Sequence, residues 1–330
     1  MRLALFSAVP LLAGLLSASG QSVLNQLERF TVSGTDFVRL SDWARVCDFQ
    51  ISSAHHSPEI RLATKWSKLV FTVDSTKAEI NGVSVFLSFP IAARYGTTCI
   101  ALLDLKTAVY PVLFPPKNQG SVPILSVCLD PGHGGKDPGN EEGWRQEKEY
   151  TLLLAREVRG LLAETGLKVT LTRMGDSFVP LPERPEFAKR HDADLFVSLH
   201  LNATLSDKNR VKGVEVYCMT PAGVSSTNAR GEGAENSASR GNRWDAKNML
   251  LAYQIQKSLV KGFGAEDRGV RHARFAVLRN ADMPAVLVEA GYMSHPQEAK
   301  RIFDPRQRHQ LAEAIVDGIL AYKRLVERSE

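Results

Sequence analysis

The chain has 330 residues, is 44% hydrophobic and 23% charged, and carries a formal net charge of +5. This balance excludes a disordered polymer, leaves enough apolar residues for a sizeable core, and suggests two domains as a prior from length. Modest basicity suits an acidic partner such as nucleic acid, a membrane surface or an anionic polymer, without choosing among them.

Arg2, the apolar run 3–16 and the small residues Ser17-Ala18-Ser19-Gly20 read as an export signal over 1–20. The run falls short of the roughly 20 residues that a membrane-spanning helix needs, and an uncleaved anchor is the alternative. No second long apolar stretch follows and no Cys stands behind the signal for lipid attachment. The expectation is an exported protein of the periplasm or cell envelope with no stable membrane span. An even number of cysteines in such a chain permits disulfides. Cys47 with Cys99 is the better pair and Cys128 with Cys218 ranks below it, but free thiols behaving as small hydrophobes lead.

Residues 31–114 form a first domain of short alternating strands, such as 61–64 and 68–73. Asn81-Gly82 between 78–80 and 83–86 is a hairpin signal. A weak internal repeat follows a short strand with helical turns, once over 37–46 and again over 98–109. This pattern resembles the small α+β stalk domain found at the N-terminus of copper amine oxidases and in many exported wall proteins. His55-His56 are sequence neighbours that point apart on a strand, and they read as exposed loop. Residues 115–123, rich in Pro, Gly and polar residues, are a linker.

The second domain, 124–328, alternates strands and helices. Strands are expected at 124–129, 168–173, 195–199, 213–219, 275–278 and 285–289. Helices are expected over roughly 147–165, 182–191, 245–262 and 305–326. The predicted fold class is α/β, a mostly parallel sheet flanked by helices on both faces, preceded by the small α+β domain. The tract 220–243, rich in Ser, Gly and Asn, reads as a long mobile loop.

Chemistry gathers at the strand ends. His133 follows the first strand inside Asp130-Pro-Gly-His-Gly-Gly135, His200 follows the third, Glu289 closes the last, and Glu147 opens the first helix. In a parallel sheet these ends share one edge, where open α/β sheets bind ligands. Two histidines and a carboxylate form a ligand set for catalytic zinc, with one position left for water. Each residue also has a plain reading. His200 could be a core histidine, Glu147 a first-turn acid favoured by the helix dipole, and Glu289 the partner of Arg279 or Arg268. Glu149 stays open as an alternative to Glu147. An uncoordinated Glu289 suits a proton shuttle. His191, His272, His295 and His309 read as structural or solvated.

Leu129–Gly139, Gln146-Glu-Lys148, Ser198-Leu-His-Leu-Asn-Ala203 and Val286-Leu-Val-Glu-Ala-Gly-Tyr-Met-Ser294 resemble, in order, the zinc-dependent N-acetylmuramoyl-L-alanine amidases of the type-3 amidase family. The resemblance covers about 124–326. It implies hydrolysis of the amide between N-acetylmuramic acid and L-alanine in peptidoglycan, during wall turnover or daughter-cell separation. It implies zinc on His133, Glu147 and His200, Glu289 as catalytic glutamate, Arg279 as an aid to substrate positioning and Asn202 as a substrate contact. Peptidoglycan is the implied partner rather than nucleic acid, with a protein activator as a further candidate. The tract 220–243 departs from the simplest members by its length and is read as a flexible lid or partner loop. The competing readings are a zinc carboxypeptidase acting on another wall amide, and a non-catalytic wall-binding or activator protein.

Overall fold

The computed structural model describes residues 24–53, 57–94, 96–228 and 233–328. The export signal and His55-His56 lie outside the described residues. Strands in the first part are β1 (Arg29–Val32), β2 (Thr35–Arg39), β3 (Gln50–Ser52), β4 (Glu59–Ala63), β5 (Lys68–Thr72), β6 (Lys77–Ile80), β7 (Val83–Phe86), β8 (Ala92–Arg94) and β9 (Thr97–Ala101). Helix α1 spans Leu40–Val46. Asn81 and Gly82, both at positive φ, turn β6 into β7, the backbone that a two-residue hairpin demands. The two copies of the strand-then-helix repeat meet, because β2 pairs antiparallel with β9. With β1 and β8 they make a four-stranded sheet.

The second part contributes β10 (Ser126–Pro131), the hairpin β11 (Glu141–Glu142) and β12 (Arg145–Gln146), β13 (Lys168–Leu171), β14 (Leu195–Asn202), β15 (Val214–Met219), β16 (Asp267–Ala273) and β17 (Ala285–Tyr292). Its helices are α2 (Glu147–Glu164), α3 (Glu183–Arg190), α4 (Asp245–Lys261), α5 (Ala276–Arg279), α6 (Pro296–Phe303) and α7 (Pro305–Glu327). The large sheet runs β13-β10-β14-β17-β15-β16-β7-β6-β5-β4-β3. From β13 to β16 every pairing is parallel except β15 with β17. The strand expected at 275–278 is instead the start of α5, a single turn too short to show any hydrophobic period.

Strands β10, β14 and β17 are mostly buried on both faces because helices cover both. One core unites Val127, Leu199 and Val288 with Leu154 and Val158 of α2, Leu250 and Ile255 of α4, and Ile315 and Ile319 of α7. A second cluster on the opposite face joins Cys128, Phe196 and Tyr217 to Ala188 of α3 and Leu278 of α5. Gly318 lets α7 cross α4 closely, since a Cβ there would lie 2.5 Å from Ile255 Cα. All four cysteines are free thiols. Among the described residues no helix is long and apolar enough to cross a membrane.

The two parts meet through a strand pairing, side-chain hydrogen bonds and a shared hydrophobic core. Val85 of β7 pairs with Val270 of β16, Ser84 N donates to Asp267 Oδ2 at 2.7 Å, and Tyr253 donates from its hydroxyl to Ile80 O at 2.9 Å. The segment 115–123 carries one 3-10 turn, Gln119–Ser121, and Asn118 N donates to Val326 O at 2.9 Å. Within the tract 220–243, the described residues fold back on themselves and on β16. Gly223 N donates to Glu235 O at 2.8 Å and Thr227 N to His272 O at 3.0 Å. The 3-10 turn Arg240–Trp244 then leads into α4.

Candidate active site

Parallel strands β10, β14 and β17 end together, and their C-terminal edge collects the predicted residues. His200 and Glu289 are Cα partners across β14 and β17. His133 lies just past β10 and Glu147 is the first residue of α2. Glu147 is 1% exposed and bridges both histidines: its Oε2 lies 3.1 Å from His133 Nε2 and its Oε1 lies 3.0 Å from His200 Nδ1. One ligand atom from each of the three residues falls within 4.8 Å of the others. Glu149 is exposed on the outer side of the same helix turn and takes no part.

Glycine makes this approach possible. A Cβ at Gly132 would sit 2.3 Å from His200 Cε1, and one at Gly139 would sit 2.6 Å from His133 Cδ2 and 2.7 Å from Glu147 Oε2. His133 itself adopts φ +61, which costs a residue with a side chain about 1–2 kcal/mol. Neighbours hold it there. Arg184 Nη2 donates to His133 O at 3.0 Å, and His133 Nδ1 lies 2.9 Å from Asp137 Oδ2.

Two buried arginines support the turn from below. Arg184 Nη1 pairs with Asp130 Oδ1 at 2.9 Å, both residues being essentially inaccessible. Asp130 also accepts from Thr172 Oγ1 at 2.5 Å and Ser198 Oγ at 2.7 Å. Arg173 donates to the carbonyls of Pro131, Gly132 and Lys148. Burial and the nearby Arg184 charge lower its pKa to about 10. Sequence reading passed over this lattice. The Asp130-Pro-Gly motif and the strand-end Thr172-Arg173 were its only signals. We expect Arg184→Met to destabilise the fold by about 3–5 kcal/mol, because Asp130 is left as an uncompensated buried charge. Urea unfolding measures this, and a loss below about 1 kcal/mol would mean that the pair supports nothing.

Electrostatics separate the two glutamates. Burial opposes charge on Glu147, but hydrogen bonds and attraction from both histidines overcome it and hold its carboxyl far below the usual range. Leu201 N and Asn140 N add donors at 3.0 and 2.9 Å. His133 is raised: burial works against its charge, and Glu147 and Asp137 outweigh burial. Glu289 is pushed well above the ordinary glutamate value, first by burial and then by the charges of Glu147 and Glu215. Its Oε2 is buried with no hydrogen-bond partner among the described residues.

The other two predicted residues have different surroundings. Asn202 Nδ2 donates to Glu215 Oε1 at 2.8 Å. Arg279, in α5, is ion-paired with Glu235 of the tract 220–243 rather than with the histidine–glutamate cluster.

The residues fit a divalent metal. His133 Nδ1 turned to Asp137 leaves Nε2 facing the cluster, the carboxylate–histidine arrangement that fixes a ligand tautomer. One ligand atom from each of His133, Glu147 and His200 lies within 4.8 Å of the other two, close enough for the three to share one ion. Two imidazoles and one carboxylate are a borderline donor set that suits zinc.

Comparison with known proteins identifies the family of the segment that carries this cluster. A family model described as N-acetylmuramoyl-L-alanine amidase matches residues 127–321. The N-acetylmuramoyl-L-alanine amidase AmiA of Escherichia coli is 33% identical over 230 residues, covering 63% of this chain and 79% of that protein. AmiC of Neisseria meningitidis is 35% identical over 228 residues, covering 62% and 54%. Among solved structures, the amidase AmiC2 of Nostoc punctiforme shares 34% identity across 61% of this chain and 97% of its own, with a TM-score of 0.51. An N-acetylmuramoyl-L-alanine amidase from Clostridium difficile 630 gives 31%, 61%, 97% and 0.51. With the matched segment spanning β10 to α7 and enclosing all four clustered residues, this chain belongs to the N-acetylmuramoyl-L-alanine amidase family.

Proposed function

We propose that the chain is a zinc-dependent peptidoglycan amidase that cleaves the bond between N-acetylmuramic acid and L-alanine, with His133, Glu147 and His200 holding the metal and Glu289 moving the proton. The observation that carries this reading is the buried Glu147 bridging two histidines beside a second, partnerless glutamate. Zinc held by His133, Glu147 and His200 would supply Lewis acidity toward water and the scissile carbonyl.

The chain's own residues do the rest. Glu147, kept ionised by its donors, offers a permanent negative charge to the cation. Asp137 fixes the His133 tautomer. Glu289, raised in pKa and without a protein partner on Oε2, accepts a proton from the attacking water and returns it to the departing amine. Asn202, anchored on Glu215, offers a carboxamide near the strand edge to the substrate.

The site of action in this reading is the cell envelope, and the first module binds wall or a partner. A protein activator would act through the tract 220–243, whose Glu235 ties down Arg279. Digestion of purified sacculi, followed by mass spectrometry, tests the activity. Intact stem peptides should be freed from glycan, a chelator should abolish their release, and zinc should restore it. Release of single terminal amino acids would favour the carboxypeptidase reading. No product with zinc-loaded protein would favour the non-catalytic one.

A further inference from the structure

Glu215 stands in β15 in line with the cluster. Its Cα partner in the antiparallel ladder is Glu289, and the partner of Glu289 across the parallel ladder is His200. Register partners share a face, so the three side chains form one row across the sheet. Like charges directly opposite one another are unfavourable, and a buried carboxylate needs partners. Glu215 is 4% exposed. Asn202 Nδ2 donates to its Oε1 at 2.8 Å, while Arg271 Nε and Arg268 Nε lie 2.9 and 3.6 Å from its Oε2. The Arg271 contact is an ion pair rather than an aligned hydrogen bond.

Arg271 also reaches the first part of the chain. Its guanidinium carbon lies 3.9 Å from the Phe86 ring centroid, and Nη1 donates to Thr227 O at 3.2 Å. Phe86 ends β7, the strand that joins the large sheet at β16. A guanidinium stacked on one side and ion-paired on the other has little freedom, and that order passes to Glu215. The contacts therefore run without a gap from Phe86 to Arg271, Glu215 and Asn202, two residues beyond His200.

We propose that Glu215 is a positioning residue of the amidase site, held by Arg271, and that Phe86 makes the first module part of that support. The proposal rests on the amidase reading above. Glu215 sets the carboxamide of Asn202 and faces Glu289 across the ladder, so losing its charge disturbs turnover more than binding. The first module is then more than an appended anchor, because one of its rings braces the catalytic sheet.

Glu215→Gln, Arg271→Lys and Phe86→Leu in the full zinc-loaded chain test this. Glutamine keeps an oxygen for Asn202 but loses the charge, lysine keeps the charge but loses the planar stack, and leucine keeps apolar bulk but loses the ring face. For Glu215→Gln we expect kcat on a soluble muropeptide to fall by about 10- to 100-fold, with KM within about twofold and zinc content unchanged. The double variant Glu215→Gln/Arg271→Lys should be no slower than the slower single one, as coupled residues require. A second measurement needs no turnover. In metal-free Phe86→Leu, amide hydrogen exchange should quicken at residues 200–204 and 287–291 as well as at 267–273. Wild-type kcat in Glu215→Gln, or exchange changes confined to residues 80–90 and 267–273, overturns the proposal. Absence of stem-peptide release by the unmodified chain would sink the amidase reading instead, and the exchange pattern would still decide the support role.

Discussion

Replacing Glu289 by glutamine should leave a folded, metal-loading protein that cleaves peptidoglycan about 10²- to 10⁴-fold more slowly. Glutamine matches glutamate in shape, so β17 and its pairing with His200 persist. Glu289 is outside the set of three converging ligand atoms, so metal content should not change. What disappears is the group proposed to accept a proton. The pH profile adds a second check. The acid is raised in the fold, so Glu289 is protonated, and useless as a base, at pH values where an ordinary glutamate has ionised. The acid limb of kcat/KM should therefore lie above the usual glutamate value, with activity rising as pH increases through it. A bound metal ion would offset the charge of Glu147, but burial and the Glu215 charge would remain. Full turnover in Glu289→Gln would end the proton-shuttle assignment, and loss of metal together with activity would make Glu289 a ligand.

The convergence of His133, His200 and Glu289 was legible because each ends or follows an apolar run, and parallel strands bring such ends together. Glu147 was less so. At a helix start, an acid is ordinary, and only resemblance separated it from Glu149; in the structure Glu149 is exposed and Glu147 buried. Glu215 escaped notice for a topological reason. It stands near the beginning of β15, the strand that runs against β17, so its N-terminal end reaches the edge where the others terminate. No local pattern announces an antiparallel strand within a parallel sheet. The join between β7 and β16 was equally hidden, since its one register pair, its hydrogen bonds and the core shared by Val83, Val85 and Val270 all link residues far apart in sequence. The α/β class and the hairpin at Asn81-Gly82 could be read because periodicity and turn chemistry are local. The Asp130–Arg184 lattice could not, because its members lie in separate elements.

His200→Ala should lose metal and activity together, whereas Glu149→Ala should lose neither. Removing the imidazole deletes one of the three proposed ligands and leaves Glu147 with His133 and its backbone donors. The space cannot close up, because Gly132 offers no side chain to fill the place of the ring. Two remaining ligands cannot make the three-point protein site that catalytic zinc uses. After dialysis against trace zinc, elemental analysis should find the unmodified chain and Glu149→Ala loaded and His200→Ala empty. Stability supplies an independent reading, because a ligand that binds only the folded state raises its melting temperature. At a free concentration about 100 times Kd the gain is roughly 2.7 kcal/mol. Added zinc should thus raise the melting temperature of the unmodified chain and of Glu149→Ala, and leave that of His200→Ala unmoved. A zinc-dependent shift that survives in His200→Ala would place the metal elsewhere. Loss of the shift in Glu149→Ala would transfer the ligand role from Glu147 to its exposed neighbour.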